Sequence, residues 1–130
     1  NDKVLLANFF NILGNVHHVK SENDIDKITV LSGSGPAYVI NFLETMVSAY
    51  IKMGFSRNKS EEYARELFYG TIYNLVASKR HHLNIKQSVI SKGGTTEQAL
   101  QIMMKYKFND IFEKAIKGAF KKAKTMSTKK

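Results

Sequence analysis

Apolar residues recur every three or four positions along most of this chain, and β-branched residues do not alternate over any long stretch. That spacing marks amphipathic helices and leaves little room for a sheet. Val4, Leu5, Phe9 and Ile12, with Asn8 between them, share one helical face, and Gly14 is a fitting stop. A short helix is expected over Asp24 to Leu31, with Ile25 and Ile28 on one side. Pro36 suits a first helical position, where its missing N–H would have no partner anyway. The helix it opens carries Val39, Phe42, Leu43, Met46 and Tyr50, and ends near Lys52 or Met53 with Gly54 as cap. Asn58 and Glu61 fit an N-cap and its partner three residues on. That helix runs through Tyr63, Leu67, Gly70, Ile72 and Leu75 to about Ser78. A short helix near Ile85 to Ile90 follows, and Ser91-Lys92-Gly93-Gly94 breaks it. Thr95 to Gln98 reads as a second capping box, opening a helix to about Tyr106. Asn109 is placed to cap a last helix, Asp110 to about Lys124, whose apolar face holds Ile111, Ala115, Ile116, Ala119 and Phe120. The expected architecture is all-α, a bundle of six or seven helices.

The 130 residues suit one domain, expected over 1–125 with a basic tail at 126–130. The absence of cysteine excludes a disulfide scaffold, a Cys-ligated zinc site and a thiolate nucleophile. No apolar run approaches the roughly 20 residues of a membrane helix, and no signal-peptide pattern opens the chain, so a cytoplasmic home is expected. The chain starts at Asn1 and turns helical at once, which suggests a piece of a longer protein. Seven of its 20 basic residues, all lysine, fall in the last 17 positions, where there is no acid. Most of the formal +9 is therefore local. A solvated helix face and tail is the preferred reading over nucleic-acid or membrane-surface binding, and only Arg57, Arg65 and Arg80 could read phosphates bidentately. Phe42, Tyr50, Phe55, Tyr63, Phe68, Tyr69 and Tyr73 crowd two successive helices. One small core cannot cover that much apolar surface, and an oligomeric interface is the natural outlet.

Two glycine-rich junctions stand out. Ser32-Gly33-Ser34-Gly35-Pro36 lacks what a dinucleotide fingerprint needs, a preceding strand and a third glycine, since Tyr38 stands at that place. It reads as a tight helix–helix turn. Ser91-Lys92-Gly93-Gly94-Thr95-Thr96 leads into a helix whose first N–H groups and positive dipole end suit a small carboxylate or phosphate. Thr96 would add a hydroxyl. The alternative is a C-cap followed by an N-cap with no ligand. The histidines come as adjacent pairs, His17-His18 and His81-His82, which do not share a helical face and lack the spacing of a helical metal site. Carboxylates are scattered, and no metal site or Ser/His/Asp set is expected.

The stretches Thr29 to Tyr38 (TVLSGSGPAY) and Ser88 to Leu100 (SVISKGGTTEQAL) resemble the helical C-terminal domain of pyrroline-5-carboxylate reductase. The pieces between agree in order: Phe9-Phe10 with Ile12, Gly14 and Val16; Lys52 to Arg57; and Phe108 onward with Ala115, Ala119 and Lys124. The resemblance covers nearly the whole chain. It implies the 6-phosphogluconate-dehydrogenase-C-terminal-like fold, a homodimer formed by interlocked helical domains, and possible higher assembly. It implies an N-terminal dinucleotide-binding domain, absent from this chain, that holds NADPH or NADH. The reaction implied is reduction of 1-pyrroline-5-carboxylate, a small imine carboxylate, to L-proline. Carried over by position, Ser91, Gly93, Gly94, Thr95 and Thr96 would cradle the substrate carboxylate, with Thr96 toward the ring nitrogen. Ser32, Gly33, Ser34, Gly35 and Pro36 would form a structural signature turn beside the site. No residue is singled out as catalytic.

The chain departs from the family near the pocket. Lys92 stands where proline is usual, Ile90 where a small residue is usual, and Lys79 where an acid is common. His81-His82-Leu83 replaces a His-Pro-Gly-like turn. Lys92 could strengthen carboxylate binding. The same set of changes fits a divergent or non-catalytic oligomerisation module, and that alternative stays open at this point.

Overall fold

The computed structural model describes residues 2–127. Seven α-helices follow one another, α1 (Asp2–Asn11), α2 (Glu22–Ile28), α3 (Gly35–Lys52), α4 (Arg57–Ser78), α5 (His82–Ser88), α6 (Thr95–Lys105) and α7 (Phe108–Ser127). A π-helical turn, Thr29–Gly33, joins α2 to α3. No strand occurs among the described residues, so the all-α expectation holds. Helix α7 runs through Met126 and Ser127, two residues into the expected tail. Lys129 and Lys130 lie outside the described residues.

The caps explain the boundaries, and several differ from the sequence reading. Helix α2 starts at Glu22 because Ser21 caps it. The Ser21 hydroxyl accepts from the Asp24 N–H and donates to the Asp24 carboxylate at 2.9 Å. The Lys27 ammonium at 2.8 Å, followed by the Ser21 hydroxyl, holds Asp24 below the usual carboxylate range. Beyond Ile28 the helix widens instead of running on to Leu31. Ser34 N–H donates to Thr29 carbonyl oxygen at 3.0 Å, a π-type reach. The Ser32 hydroxyl occupies the Ile28 carbonyl at 2.9 Å.

Helix α3 ends as expected at Gly54, whose φ of +102° only glycine adopts freely. Phe55 N–H reaches the Tyr50 carbonyl and Gly54 N–H the Ile51 carbonyl, and the Tyr50 and Phe55 rings meet at 6.5 Å. This is the Schellman pattern with its apolar contact. The N-cap of α4 is Ser56, accepting from Lys59 N–H, rather than Asn58. Serine at 56 comes first in the chain and already satisfies the orphan N–H, which leaves Asn58 inside the helix. Helix α5 starts earlier than expected because His81 caps it through Nδ1, which accepts from Leu83 N–H at 3.3 Å. Helix α7 starts at Phe108, so Asn109 lies inside it and caps nothing.

Helices α3 and α4 form a close antiparallel pair. Ser60 and Ala64 are fully buried where they meet, since small side chains let backbones approach. Helix α7 returns against α2, the π-turn and α6. Its Phe108 and Phe112 rings both lie 5.6 Å from Phe42 of α3. This arrangement buries few residues. The only buried apolar side chains among the described residues are Val30, Val47 and Ala64. The chain exposes 11343 Å². A compact monomer of this mass exposes about 6,900 Å². The excess is several times the roughly 800 Å² that a standard interface takes from each partner.

Part of that exposed apolar surface lies on helix α4. Tyr69, Ile72, Tyr73 and Val76 form an i, i+3, i+4, i+7 stripe, and Tyr69 and Val76 are 73% and 72% exposed. Phe68 and Leu75, both half-buried, flank the stripe on the side of Ile72.

Lys79 after α4 and Lys107 after α6 are the non-glycine residues in the left-handed region, at φ of 53° and 54°. That conformation costs an L-residue about 1–2 kcal/mol, and glycine relieves it at a smaller entropic cost. Lys79→Gly and Lys107→Gly should each stabilise the fold by about 0.5–1 kcal/mol, raising Tm by about 2–4 °C in a melting experiment.

Candidate functional site

The turn Ser91 to Gly94 connects α5 to α6, and its backbone follows from its glycines. Gly93 has φ of +73°. Gly94 N–H donates to the Ser91 carbonyl at 2.9 Å, closing a tight turn. A Cβ at Gly94 would sit 2.3 Å from Ser91 Oγ and 3.0 Å from the Ser91 carbonyl oxygen. So Gly93 is favoured by conformation, while a side chain at Gly94 would force the Ser91 hydroxyl to turn aside and press on the Ser91 carbonyl.

Helix α6 begins at Thr95 with Gly94 as N-cap and no side-chain hydrogen bond to the cap. The expected Thr95–Gln98 capping box therefore does not form. Thr95 is already the first helical residue, and a capping hydroxyl must stand one position earlier. The first N–H groups of α6, on Thr95, Thr96 and Glu97, have no intrahelical acceptor, and no other group among the described residues accepts from them. They point along the axis at the positive end of the helix dipole. The Thr96 hydroxyl, on a half-buried residue, makes no hydrogen bond among the described residues.

The sequence reading missed Glu97. Its carboxylate Oε2 accepts from Gly93 N–H at 2.7 Å, reaching back over the turn. A Glu three residues after a glycine N-cap is half of a capping box and could have been read from the sequence. Lys92, at the tip, is exposed, whereas Ile90 is half-buried and borders a groove with Glu97, Leu100 and Phe108.

The structure places the first junction elsewhere. Ser32 and Gly33 belong to the π-turn, Ser34 is the N-cap residue of α3, and Gly35-Pro36 open it. This turn borders an apolar groove of about 750 Å³ with Val30, Tyr38, Phe42 and Phe112. No hydrogen bond, ion pair or ring contact links the two junctions among the described residues. The π-turn rests on α2, α3 and α7, whereas α6 rests on α7. Among the described residues no three His, Asp or Glu side chains gather as metal ligands, and His81 is engaged as a cap. No described helix is long and apolar enough to cross a membrane.

The family model for pyrroline-5-carboxylate reductase dimerisation matches residues 22–126. A pyrroline-5-carboxylate reductase of Vibrio alginolyticus is 30% identical over 126 residues, which cover 96% of this chain and 46% of that protein. One of Staphylococcus epidermidis is 32% identical over 119 residues, or 92% of this chain and 44% of that protein. Among solved structures, the Plasmodium falciparum pyrroline carboxylate reductase with NADP bound superimposes with a TM-score of 0.85 at 33% identity. It covers 96% of this chain and 47% of that one. The Coxiella burnetii pyrroline-5-carboxylate reductase gives 0.86 at 31%, covering 95% and 46%. The chain thus spans about half the length of the relatives it matches.

Proposed function

Since the chain belongs to the pyrroline-5-carboxylate reductase family, as its dimerisation domain, we propose that it supplies the homodimer contact and the substrate-carboxylate site of such an enzyme. The reaction is reduction of the C=N bond of 1-pyrroline-5-carboxylate to L-proline with NADPH or NADH, in the cytoplasm. The observation that carries this reading is the turn at Gly93-Gly94, where three free N–H groups and a free Thr96 hydroxyl stand together. The N–H groups of Thr95 and Thr96 take the carboxylate, helped by the helix dipole and the neighbouring Lys92. The Thr96 hydroxyl donates to the ring nitrogen and orients the imine. That is catalysis by positioning.

The glycine-rich turn of a dinucleotide-binding fold joins a strand to a helix, and the described residues contain no strand. In this reading NADPH or NADH is bound mainly by a dinucleotide-binding domain outside this chain. The homodimer reading is supported by the unpartnered stripe on α4 and by the excess exposed surface. A site that used both glycine junctions would draw them from two chains, since one chain does not join them.

The test is oxidation of NADPH and NADH with 1-pyrroline-5-carboxylate by the complete gene product, beside the isolated chain and a Thr96→Ala variant. Turnover is expected from the complete product alone. Thr96→Ala should lower kcat/KM by about 10- to 100-fold, the range for one oriented donor. A folded, dimeric complete product without turnover would sink the enzyme reading and favour the oligomerisation module.

A further inference from the structure

Glu97 does something an ordinary helix cap does not. In a capping box the glutamate three residues after the N-cap reaches back to the N–H of the N-cap residue itself. Glu97 reaches one residue further, past the N-cap Gly94, to Gly93 N–H at 2.7 Å. The bond falls on Gly93, the residue of the turn with φ of +73°. It leaves the Thr95, Thr96 and Glu97 N–H groups open. Five N–H donors thus lie around one turn, two held by Glu97 and the Ser91 carbonyl and three without an acceptor among the described residues.

We propose that Glu97 is the positioning residue of this turn, tying Gly93 down so that the free N–H groups meet an anionic substrate already aligned. The inference rests on the reading that the turn receives the substrate carboxylate, and it adds the residue that shapes the turn for it. Glu97 acts by accepting a hydrogen bond. Its negative charge is a side effect that works against an incoming carboxylate in the same positive field. The two properties separate chemically. Glutamine keeps an acceptor oxygen and loses the charge, and alanine loses both.

The experiment measures kcat and KM for 1-pyrroline-5-carboxylate in the complete gene product carrying Glu97→Gln, Glu97→Ala or Gly94→Ala, with Tm recorded for each. Glu97→Ala should raise KM about tenfold and leave kcat within about twofold, because an unanchored turn weakens alignment on binding. Glu97→Gln should rescue it, with KM at or below that of the unaltered protein. A KM within twofold of the unaltered protein in Glu97→Ala overturns the assignment, and so does a rise in Glu97→Gln equal to that in Glu97→Ala. Gly94→Ala separates the two levels of the reading. If it raises KM and Glu97→Ala does not, only the role of Glu97 falls. If neither raises KM, the carboxylate is not bound at this turn, and both fall. A loss of Tm in Glu97→Ala with KM and kcat unchanged also overturns it, because Glu97 would then be only a stabilising cap.

Discussion

Ile72→Asp should turn the dimer of this chain into a monomer that no longer melts cooperatively. Ile72 lies within the unpartnered stripe of α4, 56% exposed in the single chain, flanked by Tyr69, Tyr73 and Val76. Removing a buried isoleucine forfeits about 1.5–3 kcal/mol of burial. The carboxylate adds desolvation that no described partner offsets. A two-fold interface contains the lesion twice. The total exceeds about 6 kcal/mol, or roughly four orders of magnitude in the dimer constant. Light scattering at micromolar concentration should report 14.7 kDa where the unaltered chain gives twice that. Lys59→Glu, on the exposed first turn of the same helix, is the control and should stay dimeric. An unaltered chain that is monomeric and folded would show that the stripe is not an interface.

The second large effect is at Gly94. Its missing side chain leaves room for Ser91, and an added methyl would approach Ser91 Oγ to 2.3 Å. Overpacking of this kind costs about 1–3 kcal/mol. In the complete gene product Gly94→Ala should therefore raise KM for 1-pyrroline-5-carboxylate by about 10- to 100-fold. The double variant Ser91→Ala, Gly94→Ala removes the Oγ and should recover part of that loss. Full recovery is not expected, because the Ser91 carbonyl oxygen still lies 3.0 Å from the new methyl. A double variant as impaired as the single one would place the damage elsewhere than at Ser91 Oγ.

Helix positions were legible because periodicity and glycine punctuation are local signals. Gly54 closed α3 where expected, and Pro36 fell within the first turn of its helix. Caps were less legible, because several residues compete for each one. Ser56 outranked Asn58 by coming first, and histidine, an uncommon cap, took the start of α5. The π-turn was invisible because it depends on a hydrogen-bond choice at Thr29 that no spacing encodes. The glycine turn was legible as a break leading into a helix N-terminus, whereas the hydrogen bond from Gly93 N–H to Glu97 depends on side-chain reach. The crowding of aromatic residues pointed to apolar surface left uncovered, and Tyr69, Ile72, Tyr73 and Val76 of α4 are exposed in the single chain.

The thin core has a consequence for how damage to this protein is inherited. In most domains an exposed residue tolerates change and a buried one does not. Here Tyr69, Tyr73 and Val76 lie open in the single chain, yet they would act as interior positions of the pair. Substitution there is felt by both copies, so one altered allele can burden the product of an intact one in mixed pairs. The reverse also follows. Two alleles damaged at separate places, one at the α4 stripe and one at the Gly93-Gly94 turn, can meet in a mixed pair that retains one intact turn and a half-repaired interface. Function would then be inherited by the pair rather than by the chain.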